Sequence, residues 1–184
     1  MSLSDDEVLM RCDEVRRSVL HDLACMLEMP VGVNFAVAGL MAAGCEALAC
    51  LRGEPQGRGW VVLQEILPRP FSEVAESLWK AMRNGLLHNY WPNTLHIDDT
   101  EIGLSFSWRE KEHLSWSEDG DLVLLIPALV EGLLLAWDRF AIQLDVDSDA
   151  RERARKDLER LARRDTIKGR EKAAWLRILD SVRT

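Results

Sequence analysis

Arg83-Asn84-Gly85-Leu86-Leu87-His88-Asn89-Tyr90-Trp91-Pro92 is the stretch whose residue types and spacing best suit chemistry. Arginine is a permanent cation able to brace a phosphate. Histidine is the side chain whose ordinary pKa lets it give or take a proton near neutrality. Asparagine can orient either one. Arg83, Asn84 and His88 together point to phosphodiester chemistry. Arg16 and His21 share the Arg-to-His spacing but lack the following Asn. On an ideal helix Asn84 and His88 lie one turn apart on one face, whereas Arg83 and His88 differ by roughly 140° around the axis. A competing reading stands beside the catalytic one. Cations near a helix C-terminus are favoured by its dipole and can bind its last free carbonyls, so Arg83 and His88 can simply cap their helix.

The elements that must position this motif are mostly helical. Ser4 with Glu7 forms a capping box, which predicts a helix start. Val8, Cys12, Val15, Val19, Leu23 and Met26 then trace one buried face, and Pro30 ends it. A second helix is predicted from about Gly32 to Leu51, where Gly39, Gly44 and several alanines allow a neighbour to approach closely. Arg52 to Gly57 reads as a loop, and Trp60 to Leu67 as a short helix. The motif closes a helix predicted from Phe71 to about Tyr90, with Val74, Leu78, Met82 and Leu86 facing the core and Pro92 unable to continue it. Beyond Pro92 the period changes. Ile102, Leu104, Phe106 and Trp108 alternate with small residues, Glu118-Asp119-Gly120 makes a turn, and Leu122 to Ile126 reads as a returning strand. A helix from Pro127 to about Asp145 follows. Two charged helices, about 149–164 and 168–182, close the chain, the first with Leu158 and Leu161 as its main apolar surface. The expectation is one mainly α domain over 1–184: a helical bundle with a small antiparallel β insertion at about 95–126.

Composition narrows the function. At 184 residues the chain can bury a real core, and a net charge of −8 argues against a general nucleic-acid coat protein. Basic residues outnumber acidic ones from 148 to 184 while the body is acidic. The Arg151-to-Lys156 run contains its own acid, so an ion-paired helix face is expected ahead of an RNA guide rail. Cys12, Cys25, Cys45 and Cys50 form no Cys-x-x-Cys pair, which leaves zinc unsupported and predicts buried thiols. No cofactor or metal is expected. Polar residues interrupt both long apolar stretches, and the N-terminus lacks a signal-like apolar region, so a cytoplasmic protein with no membrane span is expected. Glu46, within an apolar helix, can reach the site, but a surface place or a basic partner is favoured. His21 reads as a boundary or core histidine. His96 and His113 receive no role. The seven tryptophans read mainly as core filling, although aromatics also stack on unpaired bases.

The phrase from Leu78 to Pro92 resembles the motif helix of the HEPN superfamily, whose signature is Arg, four to six residues, then His, often with Asn after the Arg. The specific likeness covers the motif helix, and the helical pattern is compatible over a larger part of the chain. The β insertion departs from the simplest HEPN bundle. The resemblance implies a metal-independent endoribonuclease in a defence or toxin–antitoxin role. In it Arg83 stabilises phosphoryl charge, His88 acts as general acid or base, and Asn84 orients His88 or the phosphate. It further implies a homodimer with a composite site, an RNA substrate, a cognate antitoxin or regulatory protein, and 2′,3′-cyclic phosphate products. The alternative is a HEPN-like binding or regulatory module without catalysis, recognising a protein, RNA or nucleotide.

Overall fold

Ser4 Oγ accepts the backbone N–H of Glu7 at 3.3 Å while Glu7 Oε2 accepts that of Ser4 at 2.7 Å. Helix α1 (Asp5–Leu27) starts at this reciprocal cap in the computed structural model, which describes residues 2–28, 34–89, 94–108 and 113–161, with backbone alone for 87–89. Val8, Cys12 and Leu23 are buried on its inner face. Cys25, expected to be buried, is exposed, because two residues beyond Leu23 a helix has turned about 200°. His21 is exposed as well, with Nε2 3.6 Å from Cys25 Sγ. Pro30 lies outside the described residues.

Helix α2 (Asn34–Leu51) runs through the centre and packs against α1 and four later helices. Small side chains make this possible: Ala38, Ala42, Gly44 and Ala49 are all buried. A Cβ on Gly44 would lie 2.9 Å from both Val19 Cγ1 and Leu133 Cδ2. A side chain there would force Val19 or Leu133 to shift. By length and composition α2 would suffice to cross a membrane, but 56% of it is buried within the protein.

Helix α3 (Trp60–Ile66) leads to a 3-10 turn at Phe71–Val74 and then to α4 (Ala75–Asn89). Leu78, Met82 and Leu86 are buried as their spacing predicts, but Val74 is 49% exposed. The 3-10 winding ahead of α4 takes Val74 off the stripe that the α-helical period defines. Tyr90 to Pro92 fall outside the described residues.

The mainly α bundle carries a small β region, as expected, but its pairing corrects the antiparallel reading. β1 (Leu95–Ile97) and β2 (Thr100–Ile102) form an antiparallel hairpin. β3 (Leu104–Ser107) pairs in parallel with β5 (Leu122–Leu125), and β4 (Ser115–Trp116) takes the antiparallel place on the other side of β5. Gly103 separates β2 from β3. A Cβ there would sit 2.0 Å from Asp121 Oδ1, and its carbonyl accepts the Leu122 N–H at 2.8 Å. The predicted turn after Glu118-Asp119 is present, with Gly120 at φ +84°, but it joins β4 to β5.

Helix α5 (Ile126–Val146) has Pro127 in its first turn and buries Leu133, Trp137 and Phe140. Asp147 then caps α6 (Ser148–Leu161), its Oδ1 accepting from Asp149 N at 2.8 Å and Ala150 N at 3.2 Å. These donors, the Ala150 N–H foremost, hold the Asp147 carboxyl below its ordinary pKa. Ala150, Ala154 and Leu158 dock α6, whereas Leu161 is 63% exposed. The arginines of α6 are ion-paired and tie the bundle together. Arg151 Nε binds Asp5 Oδ2 at 2.9 Å, and Arg155 binds Asp5, Glu152 and the Leu3 carbonyl. The helix expected over 168–182 lies outside the described residues.

His113 supports the sheet by accepting the Leu125 N–H on Nδ1 at 3.0 Å, and burial lowers its pKa from the ordinary 6.5. Between that lowered value and 6.5 the unfolded chain binds more protons than the folded one. Stability should therefore fall as pH drops below about 6.5 and level off once the folded imidazole is protonated. Urea midpoints taken at steps from pH 7.5 to 5.5 check this. His113→Asn keeps an acceptor but cannot titrate, and should flatten the dependence in that window.

Candidate functional site

Arg83 and Asn84 sit near the C-terminal end of α4, on the border between its buried and exposed faces. Gly85 and Leu86 beside them are buried, Asn84 is exposed, and Arg83 is partly buried. Arg83 Nη1 donates to Asn84 Oδ1 at 3.4 Å, a long contact that engages one of the guanidinium's five N–H donors. Position 88 belongs to the same uninterrupted helix. The backbone therefore places Asn84 and His88 one turn apart, and Arg83 well around the axis from His88. The imidazole of His88 lies outside the described atoms.

Arg83 lines a cavity of about 360 Å³ whose floor is α2 and whose walls come from α1, α4, α6 and the loop at Gln56. Most of the lining is apolar, with Ala42, Ala43 and Ala47 leaving space where larger side chains would fill it. Glu46 lines the same cavity. A surface place or a basic partner was the favoured expectation; Glu46 is instead partly buried, and its hydrogen-bonding partners among the described residues are backbone amides. Its carboxylate accepts the N–H of Gly57 and, at 3.0 Å, that of Gly59. Gly59 lies against Trp79, where a Cβ would come within 2.3 Å of the ring carbon Cη2. Trp79 is buried one turn before Arg83 on α4. Glu46, the 57–59 loop and Trp79 thus form a chain of contacts that sets the wall holding Arg83.

The opposite wall contains groups that sequence reasoning passed over. Asp157 is only 8% exposed. Its Oδ1 accepts from Arg160 Nε at 2.9 Å and Nη2 at 2.5 Å, while Oδ2 is buried with no hydrogen-bonding partner among the described residues. Cys50 also lines the cavity, and burial first, then the Asp157 charge, raises its pKa. Burial pushes Cys45 up to about 12 and Cys12 to about 11, so neither is a ready nucleophile. The signal for Asp157 was present in the sequence. It follows Ala150 and Ala154 at helical spacing, which puts an acid beside the stripe that docks α6.

The other candidates are dispersed. His96 is exposed, with Nδ1 3.5 Å from Glu101 Oε1, and His113 serves the sheet. Trp79 and Trp137 are core residues, Trp116 is 59% exposed, and Trp91 lies outside the described residues. Among the described residues no group of three His, Cys, Asp or Glu side chains is placed to hold a metal ion. Comparison of the chain with protein-family models, with curated proteins and with solved structures finds no match.

Two substitutions test the wall that holds Arg83. Glu46→Ala leaves the Gly57 and Gly59 amides without their acceptor and should cost about 2 kcal/mol. Gly59→Ala drives a methyl group into a buried indole and should cost about 1–3 kcal/mol. Because both act through one loop, the double variant should lose less than the sum, measured by urea unfolding.

Proposed function

We propose that this chain is a metal-independent endoribonuclease of HEPN type that acts as a homodimer. The reading is carried by Arg83-Asn84-x-x-x-His88 at the end of one continuous helix, with Arg83 in a long contact with Asn84 and lining a cavity. In this proposal His88 takes the proton from a ribose 2′-hydroxyl, and that oxygen attacks the adjacent phosphorus. The 5′-oxygen of the next nucleotide leaves and gains a proton, giving a 2′,3′-cyclic phosphate and a 5′-hydroxyl. Arg83 stabilises the charge that builds on the phosphoryl oxygens, and Asn84 orients His88 or the phosphate. Since one helix separates positions 83 and 88 around its axis, the second copy of the motif completes the site from across a dimer interface. The same proposal includes a defence or toxin-like role in the cytoplasm and a cognate antitoxin or regulatory partner.

A second reading, a binding or regulatory module, is favoured by one observation: the cavity that Arg83 lines is mostly apolar. Such a surface suits a small ligand better than a polyanion.

The deciding experiment is cleavage of a mixed RNA in EDTA by wild type, Arg83→Ala and His88→Ala, each sized by light scattering and checked for folding. The enzyme reading expects a dimeric wild type, 2′,3′-cyclic ends, and a rate loss of at least about 100-fold in either variant. No cleavage, or cleavage untouched by both substitutions, would overturn it in favour of the binding module.

A further inference from the structure

Of the four cysteines, Cys25 alone is exposed, while Cys12, Cys45 and Cys50 are buried. One turn before it on α1, His21 is exposed too, and its Nε2 lies 3.6 Å from Cys25 Sγ. Thiolate and imidazole are the ligands that closed zinc sites use most. Bound to one tetrahedral zinc at about 2.3 Å and 2.0–2.1 Å, the two atoms would stand about 3.5–3.6 Å apart. The pair therefore already spans one edge of such a tetrahedron, on side chains that solvent reaches from outside. The pattern is His-x-x-x-Cys on one helix face, a spacing that a search for Cys-x-x-Cys passes over.

One copy supplies two ligands, because among the described residues no third His, Cys, Asp or Glu side chain is placed to join them. Closed zinc sites take four protein ligands. A two-fold axis through the midpoint of the pair would set a second α1 antiparallel to the first. Each His21 would then face the Cys25 of the other copy, and the set would be complete as two thiolates and two imidazoles. The exposed residues beside the pair include the small Ser18 and Ala24, which let a second helix come near. Two thiolates cancel the charge of the ion, so the contact encloses no net charge. We propose that His21 and Cys25 from two copies of this chain together hold one structural zinc ion and join the copies through α1. Each thiol gives up its proton to solvent on binding. This face of α1 is distinct from the end of α4 that carries Arg83, so the proposal does not rest on the endoribonuclease reading.

Zinc is titrated into the full chain, without a histidine tag and kept reduced by a phosphine, while light scattering follows its mass. The expected result is one zinc per two chains and a doubling of the mass measured in EDTA, whatever that mass is. Co2+ in place of zinc should show the visible bands of a tetrahedral ion and a thiolate-to-metal charge-transfer band. His21 and Cys25 are both exposed, so His21→Ala and Cys25→Ser should fold like the wild type. Each should abolish the doubling and weaken zinc at least about 100-fold, beyond the 10–100-fold that losing an outer partner of a ligand costs. His96→Ala removes another exposed imidazole and should change neither readout. One zinc per chain with no change in mass would overturn the proposal and leave a two-ligand chelate completed by water. No uptake at micromolar zinc, uptake unchanged in both variants, or Co2+ without the thiolate band would overturn it as well. RNA cleavage is assayed in EDTA, so its outcome stands apart from this one.

Discussion

The closeness with which other helices approach α2 is the constraint on which the rest of the structure depends. Gly44 has no room for a Cβ between Val19 and Leu133, and Ala38, Ala42 and Ala49 are buried beside it. Interior packing is dense enough that one added methyl group must displace something. With α2 this slim, α1 and α5 close on one part of it while α3, α4 and α6 occupy the remainder. The cavity beside Arg83 is the other consequence of the same small residues, because Ala42, Ala43 and Ala47 line it without filling it. One property of α2 thus serves both the core and the space next to the motif.

Polar contacts then hold in place what packing alone leaves loose. Glu46 reaches from α2 to the amides of Gly57 and Gly59, and that loop lies against Trp79 on the motif helix. At the far side, Arg151 and Arg155 join α6 to Asp5 and to the Leu3 carbonyl near the start of α1. The second tie links segments more than 140 positions apart and so closes a long loop whose ordering costs entropy. The basic residues of α6 described here are thereby largely committed within the protein, which weakens the view of that helix as a rail for RNA.

Local signals read well from the sequence wherever a single residue type carried a distinct physical reason. The Ser4–Glu7 cap, the short helix at Trp60 and Pro127 in the first turn of α5 all appear where those residues dictate. So does the strand alternation around Leu104 and Phe106, both of which are buried. Errors arose where winding or pairing partner mattered. Val74 left the core stripe because a 3-10 turn precedes α4, and Cys25 fell on the outer face of α1. Strand periodicity identifies which residues face inward but is silent on direction. It therefore missed that β3 lies parallel to β5, with β4 in the antiparallel place.

For the site the division is similar. The Arg83-Asn84-x-x-x-His88 spacing, its position at the end of a helix, and the mainly α architecture were determined by the sequence alone, since each depends on residues close together in the chain. The surroundings were decided by tertiary structure: an apolar cavity at Arg83, Glu46 spent on a loop, and Asp157 with one oxygen that has no partner among the described residues. Arg16 Nε and Trp137 Nε1, both buried with no partner among the described residues, belong to residues more than a hundred positions apart. Whether a buried polar group is satisfied depends on what the fold brings within about 3 Å of it, and local sequence carries no record of that.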